Sequence, residues 1–354
     1  MSETGTNGSI GGESAADSNV GGAEKRKLTG VPLLIVALGV VLFVQALFVL
    51  SYIGALHHPK PHQVAFGVVG TSPLPTVVGK QFSLKTTQYA SESAALTAID
   101  HRKIDGAFVA GPAGAKLIVV PAASSAGAAA LGNAFTAAAA ALHQKIEIVP
   151  AHPLPPGDAS GGVSFLVVMA LIIGGYLSST IAMAFGGRGT RRRRLTALAG
   201  AAVLGALLTD TLAGPVLGAI PTSKFLVLWV LFALVMMAVA FATAALQAVL
   251  GAAGTLVVVV LFVIFGAPAS GGSVPAAYLP TLWRVLGPYL PAGAGTTTVR
   301  NTIYFDGNKI ATSLIVLAAY LIVGAIVVML VRQRQLPSAE EAEAEASIAA
   351  TVIV

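Results

Sequence analysis

The sequence predicts a mainly α-helical membrane protein: six transmembrane helices, one followed by five, with a small α/β extracytoplasmic domain between the first and the second. Three observations predict it. Hydrophobic residues make up 55% of the 354 and charged residues only 10%, with a mean hydropathy of +0.82, which leaves too little polar surface to wrap a soluble core. Several apolar runs reach the roughly 20 residues that cross a bilayer. Basic residues cluster at the ends of those runs, where they set orientation.

The net charge of +6 belongs to those flanks rather than to a basic stripe interleaved with aromatics, so no nucleic acid is expected as a partner. With no cysteine in the chain, disulfides, thiol catalysis, Cys-ligated zinc and iron–sulfur clusters are excluded.

Residues 1–30 are rich in Gly, Ser, Ala and Asn, a composition that buries too little apolar area to offset chain entropy, and they read as a disordered cytoplasmic tail. Lys25, Arg26 and Lys27 then precede the first span, 31–56. A cleaved signal peptide is the rival, but the run exceeds a usual h-region and no small-residue cleavage site follows it. Residues 57–161 bring charges back and form the extracytoplasmic domain. Strands are expected at 64–70, 82–90, 106–111 and 116–122, with helices at 91–104, opened by a Ser91 cap, and at 125–144. The segment IEIVP then leads into a turn-rich linker.

Residues 162–331 hold the remaining five spans. The second, 163–185, ends at Arg188, Arg191, Arg192, Arg193 and Arg194, a loop that the positive-inside rule makes cytoplasmic. Residues 195–220 return outward, 221–224 form an outer turn, 225–245 come back, 247–254 make an inner turn, and 255–267 go out again. An outer element at 268–309 precedes the last span, 310–331, which stops at Arg332 and Arg334. Residues 332–354 form an acidic, Ala-rich cytoplasmic tail. The membrane is a bacterial inner or plasma membrane, with both termini cytoplasmic. Arg284, Arg300 and Lys309 strain this map by falling outside, but inverting it would export both large basic clusters.

His57, His58 and His62 read as solvated linker histidines, since no carboxylate lies at ligand spacing; no metal or other cofactor is expected. No Ser-His-Asp grouping or paired carboxylates mark a catalytic seat, and Gly79-Lys80 is followed by Gln81 rather than completing a phosphate-cradling loop. The chain is therefore not expected to be an enzyme. Asp210 lies inside the third span, where an ionised carboxylate costs several kcal/mol; it is either a substrate or proton contact, or an Asp bonded to Thr209, Thr211 or water. Pro268, Pro275, Pro280, Pro288 and Pro291 break the outer element into pieces too short to span, while Leu282, Trp283, Leu286 and Tyr289 give it an apolar face. It is either a re-entrant hairpin covered by protein or an outer loop on the headgroups.

The order Ser270-Gly271-Gly272 with Pro275, Leu279-Pro280, Leu290-Pro291, Arg300, then Tyr304-Phe305 and Gly307 before a final span resembles the membrane half of the ABC-2 type transporter permease superfamily. Within it, the layout over 31–331 and the phrase Lys103-Ile104-Asp105-Gly106-Ala107-Phe108-Val109 look like the YhgE/Pip and DUF3533 branch. The resemblance implies an export-type permease for an amphipathic or lipid-linked substrate in contact with membrane lipid, a homodimer with a path at the subunit interface, and, for some members, a separate ABC ATPase subunit. Asp210, Ser270, Gly271, Gly272, Pro275, Pro280, Pro291 and Arg300 are the substrate-pathway candidates. A second function class stays open: a non-transporting scaffold whose outer domain binds a cell-envelope or secretion partner, favoured by the sparse ionisable residues in the spans. A membrane-embedded enzyme is a third.

Overall fold

The computed structural model describes residues 31–111, 114–185 and 191–331. The two expected tails lie outside the described residues, as do Arg188, Arg332 and Arg334. The chain divides into a unit ending at Phe43 and a second from Val44 onward. Helix α1, Val31–Leu56, is apolar apart from Gln45, Ser51 and Tyr52.

The second unit carries the α/β domain: β1 (Val64–Val69), α2 (Leu74–Phe82), β2 (Leu84–Tyr89), α3 (Glu92–Asp100), β3 (Gly106–Gly111), β4 (Gly114–Val119), α4 (Ser125–Ala141) and β5 (Ile146–Pro150). The strands form one sheet in the order β2-β1-β3-β4-β5, parallel except for the β3–β4 hairpin. Strand alternation sends Phe66, Phe108 and Leu117 to one face, where they pack with Leu131 and Phe135 of α4, and sends Ala107, Val109 and Ile118 to the other, against Ile99 of α3. Phe135 stacks on both Phe66 and Phe108, at centroid distances of 5.2 and 5.7 Å.

Two elements differ from expectation. Residues 74–81, assigned no structure from sequence, form α2 together with Phe82: a proline in the first turn suits a helix start, Leu74 and Val78 bury one face, and Ser83 ends it in left-handed backbone. The expected strand at 82–90 accordingly begins only at Leu84. Residues 146–150, expected as a connector, pair in parallel with β4 once the α4 crossover has brought them back.

The helical part comprises α5 (Val163–Phe185), α6 (Arg191–Thr211, extended by a π turn at Leu212–Val216 that contains Pro215), α7 (Phe225–Leu250), α8 (Ala252–Val258), a π segment (Val259–Phe265) and α9 (Gly266–Ala269). After these come α10 (Thr281–Leu286), α11 (Pro291–Tyr304) and α12 (Ala311–Leu330). Helix α7 is the centre, burying Phe232, Val235, Val239 and Ala242. Its neighbours approach it through small residues: a Cβ at Gly175 of α5 would lie 2.8 Å from the Met236 carbonyl oxygen, and one at Gly324 of α12 would lie 2.6 Å from the Phe241 carbonyl carbon. Outward-facing Leu204, Leu208, Leu226, Val230 and Ile315 are exposed, an apolar exterior suited to lipid.

Among the described residues, five helices are long and apolar enough to cross a membrane, which marks a membrane-embedded protein. The run expected to form another span, 255–267, instead lies in a shorter 17-residue apolar helix, Ala253–Ala269. Two boundaries also move. Arg191 to Arg194 belong to the first turn of α6 rather than to a loop, since arginine is a good helix former whose long stem lets the charge reach polar surroundings. The expected inner turn at 247–254 is helical up to Leu250, and Gln247 is buried, accepting from Ser179 and donating to Thr180 and Thr255.

Candidate functional site: a basic cleft between the α/β domain and the proline-broken element

The broken element begins where the π segment loosens the helix. A π turn frees backbone carbonyls from their usual partners; here Ser51 of α1 donates to the Ile264 carbonyl at 2.7 Å and in turn accepts from Trp283 Nε1 of α10 at 3.2 Å. After α9 the chain reverses at Gly271, whose φ of +70° suits glycine. Ser270 closes the turn, its hydroxyl donating to Ala267 O and accepting from Gly272 N. Pro280 precedes α10 with extended backbone, and Pro291 occupies the first turn of α11, where its missing N–H costs nothing.

Helix α11 is polar yet buried along nearly its whole length, including Thr296, Thr298, Arg300, Asn301 and Thr302. Arg300, 8% exposed, donates to the carbonyls of Gly271 (2.9 Å) and Gly272 (3.2 Å), so the reversal and the guanidinium hold each other. Burial, then the nearby Arg102, push its pKa down to about 10, with Asp158 and Tyr304 opposing; it stays cationic at neutral pH.

The end of α11 docks into the α/β domain. Phe305 completes the core face beside α3, with the Arg102 guanidinium 4.6 Å from its ring centroid. Buried Asp158 accepts from Val163 N at the start of α5 and from the Tyr304 hydroxyl at 2.6 Å. Lys309 donates to the Arg102 carbonyl at 3.0 Å. Between these contacts lies a cavity of about 240 Å³, bounded by Ser124 and Gly127 at the start of α4, by Arg102, Lys103 and Asp105, by the 270–278 turn, and by Arg300 and Lys309. A wider groove of about 560 Å³ runs beside α2 and β2, where Lys80 is the one charged lining residue among the described residues.

The structure thus brings together Ser270, Gly271, Pro275 and Arg300 at the cleft, with Gly272 bonded to Arg300 and packed against Phe165. Pro280 and Pro291 shape the element without lining the cavity. Asp210 stands apart, on the buried face of α6 with Leu198, Ala202 and Ala206. Both its carboxylate oxygens are buried and unpartnered among the described residues, and Thr209, one expected partner, donates to Gly205 O instead. Sequence reasoning missed Arg102, Lys103, Asp105, Asp158 and Lys309. The signal for part of this set was the strain on the charge map caused by Arg300 and Lys309. Set against protein-family models, curated proteins and solved structures, the chain matches none.

Proposed function

We propose that this chain is a permease-like integral membrane subunit of the ABC-2 type, exporting an amphipathic or lipid-linked substrate whose path ends at the basic cleft. The observation that carries this reading is the proline-broken element, with its carbonyls turned inward onto Arg300. Irregular backbone at membrane depth survives only where protein or a water-filled cavity covers it, and a reversal built around a buried cation suits a passage better than a headgroup-bound loop.

Two anchors support six crossings. Lys224, just before α7, donates to the carbonyls of Thr302 and Ile303, while Gly271, just after α9, accepts from Arg300 on the same helix. A chain leaving that level along α7 and returning to it through 252–269 reaches the far side and comes back, over less than about 27 Å, because seven of these residues are in the π segment rather than rising 1.5 Å each. At the far end Arg191 of α6 donates to the Met329 carbonyl of α12, and the positive-inside rule makes that end cytoplasmic. The α/β domain is then outside and a separate ATPase subunit supplies any motor.

The test is translocation in cells, where such a motor subunit is supplied. Expressing the chain should raise the rate at which short-chain fluorescent lipids reach the outer leaflet, read by dithionite quenching. A rate equal to that of cells lacking the chain for all lipids tried sinks the reading in favour of a scaffold. Single cysteines at Ser125 and Thr190 check the orientation, the first reacting with an impermeant maleimide in intact cells and the second not.

A further inference from the structure

We propose that the cleft between the α/β domain and the 270–278 turn is a binding site for a phosphate-bearing anion, the head group of an anionic lipid. This deepens the export reading by naming the substrate class, and rests on that reading only for the direction of movement.

Charge is the first argument. Arg102, Lys103, Arg300 and Lys309 line the cavity against one carboxylate, Asp105. Arg300 is bonded to neutral carbonyls, and Asp158, already engaged by Tyr304 and Val163 N, reaches it only through space. Arg102 pairs with Asp105 through one nitrogen at 3.3 Å, while its Nε is buried with no partner among the described residues. Two guanidiniums that repel each other across a partly desolvated cavity are stabilised by an anion between them, and a forked guanidinium matches phosphate geometry.

Backbone conformation is the second, independent argument. Helix α3 ends in a Schellman motif: Lys103 N donates to Ala98 O and Arg102 N to Ile99 O, both at 2.8 Å. The position after the cap, which takes left-handed backbone and favours glycine, is Arg102, with φ +56°. Lys309, at φ +61°, repeats the choice in the turn before α12. Of the seven non-glycine residues in left-handed backbone among the described residues, these two are cations that meet at one cavity, Lys309 bonded to the Arg102 carbonyl, and strain of this kind is kept where a side chain is needed.

Size and surroundings point to a lipid. About 240 Å³ is below the roughly 300–1,000 Å³ of drug-sized sites and suits a head group rather than a whole amphiphile. The lining segment continues into α10 and the turn after it, where Leu282, Val285, Leu286 and Tyr289 are exposed, a surface for acyl chains.

The experiment uses the full chain purified in neutral detergent and three probes: dihexanoyl phosphatidic acid, uncharged dihexanoylglycerol and inorganic phosphate, with Kd from calorimetry. Phosphatidic acid should bind at least about tenfold tighter than dihexanoylglycerol, and Arg102→Gly should remove about tenfold of that, as loss of a charge-assisted hydrogen bond implies. Glycine suits the Schellman position, and the relieved strain offsets the lost Phe305 and Asp105 contacts, so this variant should stay folded. Lys103→Gln, at an exposed side chain with no ion pair among the described residues, should weaken binding severalfold and serves if Arg102→Gly fails to fold. Inorganic phosphate binding as tightly as phosphatidic acid would replace the lipid by a soluble phosphate and overturn the lipid assignment. Phosphatidic acid binding no tighter than dihexanoylglycerol, or unchanged binding in folded variants, overturns the site. Because binding is read without translocation, a chain that binds but moves no lipid refutes export alone. One that moves lipid without charge-dependent binding refutes the site alone.

Discussion

Arg300 and Asp210 lie in the same helical bundle, and their surroundings answer them in opposite ways. Arg300 stands beside a chain reversal whose two carbonyls accept from it. Asp210, 1% exposed, lies on the buried face of α6, just before its π turn, and finds no partner among the described residues. The difference is one of backbone availability. Inside an α-helix each N–H and C=O is already paired four residues away, so a buried charge there must rely on side chains or water. A turn has backbone groups to spare, and the glycines of the 270–272 reversal let two carbonyls point inward. The polar, irregular end of the bundle is therefore the end able to hold charge.

The largest expected effect tests the packing that keeps the reversal in place. A Cβ at Gly293 would lie 2.1 Å from the Gly287 carbonyl oxygen, a backbone clash that repacking cannot relieve, so Gly293→Val should cost about 3 kcal/mol or more. Membrane abundance and thermal unfolding in detergent measure it, and a wild-type midpoint would mean that α11 does not press on this turn. Arg300→Leu should come next, at about 2–4 kcal/mol, because two inward carbonyls lose a charged donor; Arg300→Lys should recover part of the loss.

Asp210 supplies the opposite sign. Removing an unpartnered buried carboxylate with Asp210→Leu should leave stability unchanged or raise it by about 1–2 kcal/mol. If unfolding measurements instead show a loss as large as that of Arg300→Leu, Asp210 has a partner and the contrast fails.

The smallest effect is at the rim, where Lys224 holds Asp306 at 2.8 Å and keeps its pKa below the ordinary carboxylate range. A carboxylate whose folded pKa is lowered contributes stability above its unfolded value near 4, and loses it as pH falls through the folded pKa. Since Asp306 is 90% exposed, solvent screening keeps the term small: Asp306→Asn should cost under about 0.5 kcal/mol at neutral pH and nothing at pH 2, a difference seen by comparing melts at the two pH values.

The apolar helices were legible in the sequence, because crossing a bilayer needs only enough consecutive apolar residues, which is a property of the chain in one dimension. So were the breaks at Pro275, Pro280 and Pro291, where a missing N–H acts locally, and the Ser91 cap of α3, which accepts from Ala94 N. Residues 74–81 escaped notice because two prolines close together read as a loop until one is found in a helix's first turn.

The cleft could not be read this way. Lys309 reaches the carbonyl of Arg102 across 207 positions, and the meeting depends on Phe305 entering the α/β core and on a strand order that puts β3 beside β1. Hydropathy and helix-breaking are settled by a residue and its near neighbours, so the sequence by itself determined the apolar helices and the proline breaks between 268 and 291. Electrostatic neighbourhood falls off with distance in space rather than along the chain, and only the tertiary structure decided that Arg102, Lys103, Arg300 and Lys309 share one cavity while Asp210 stands alone.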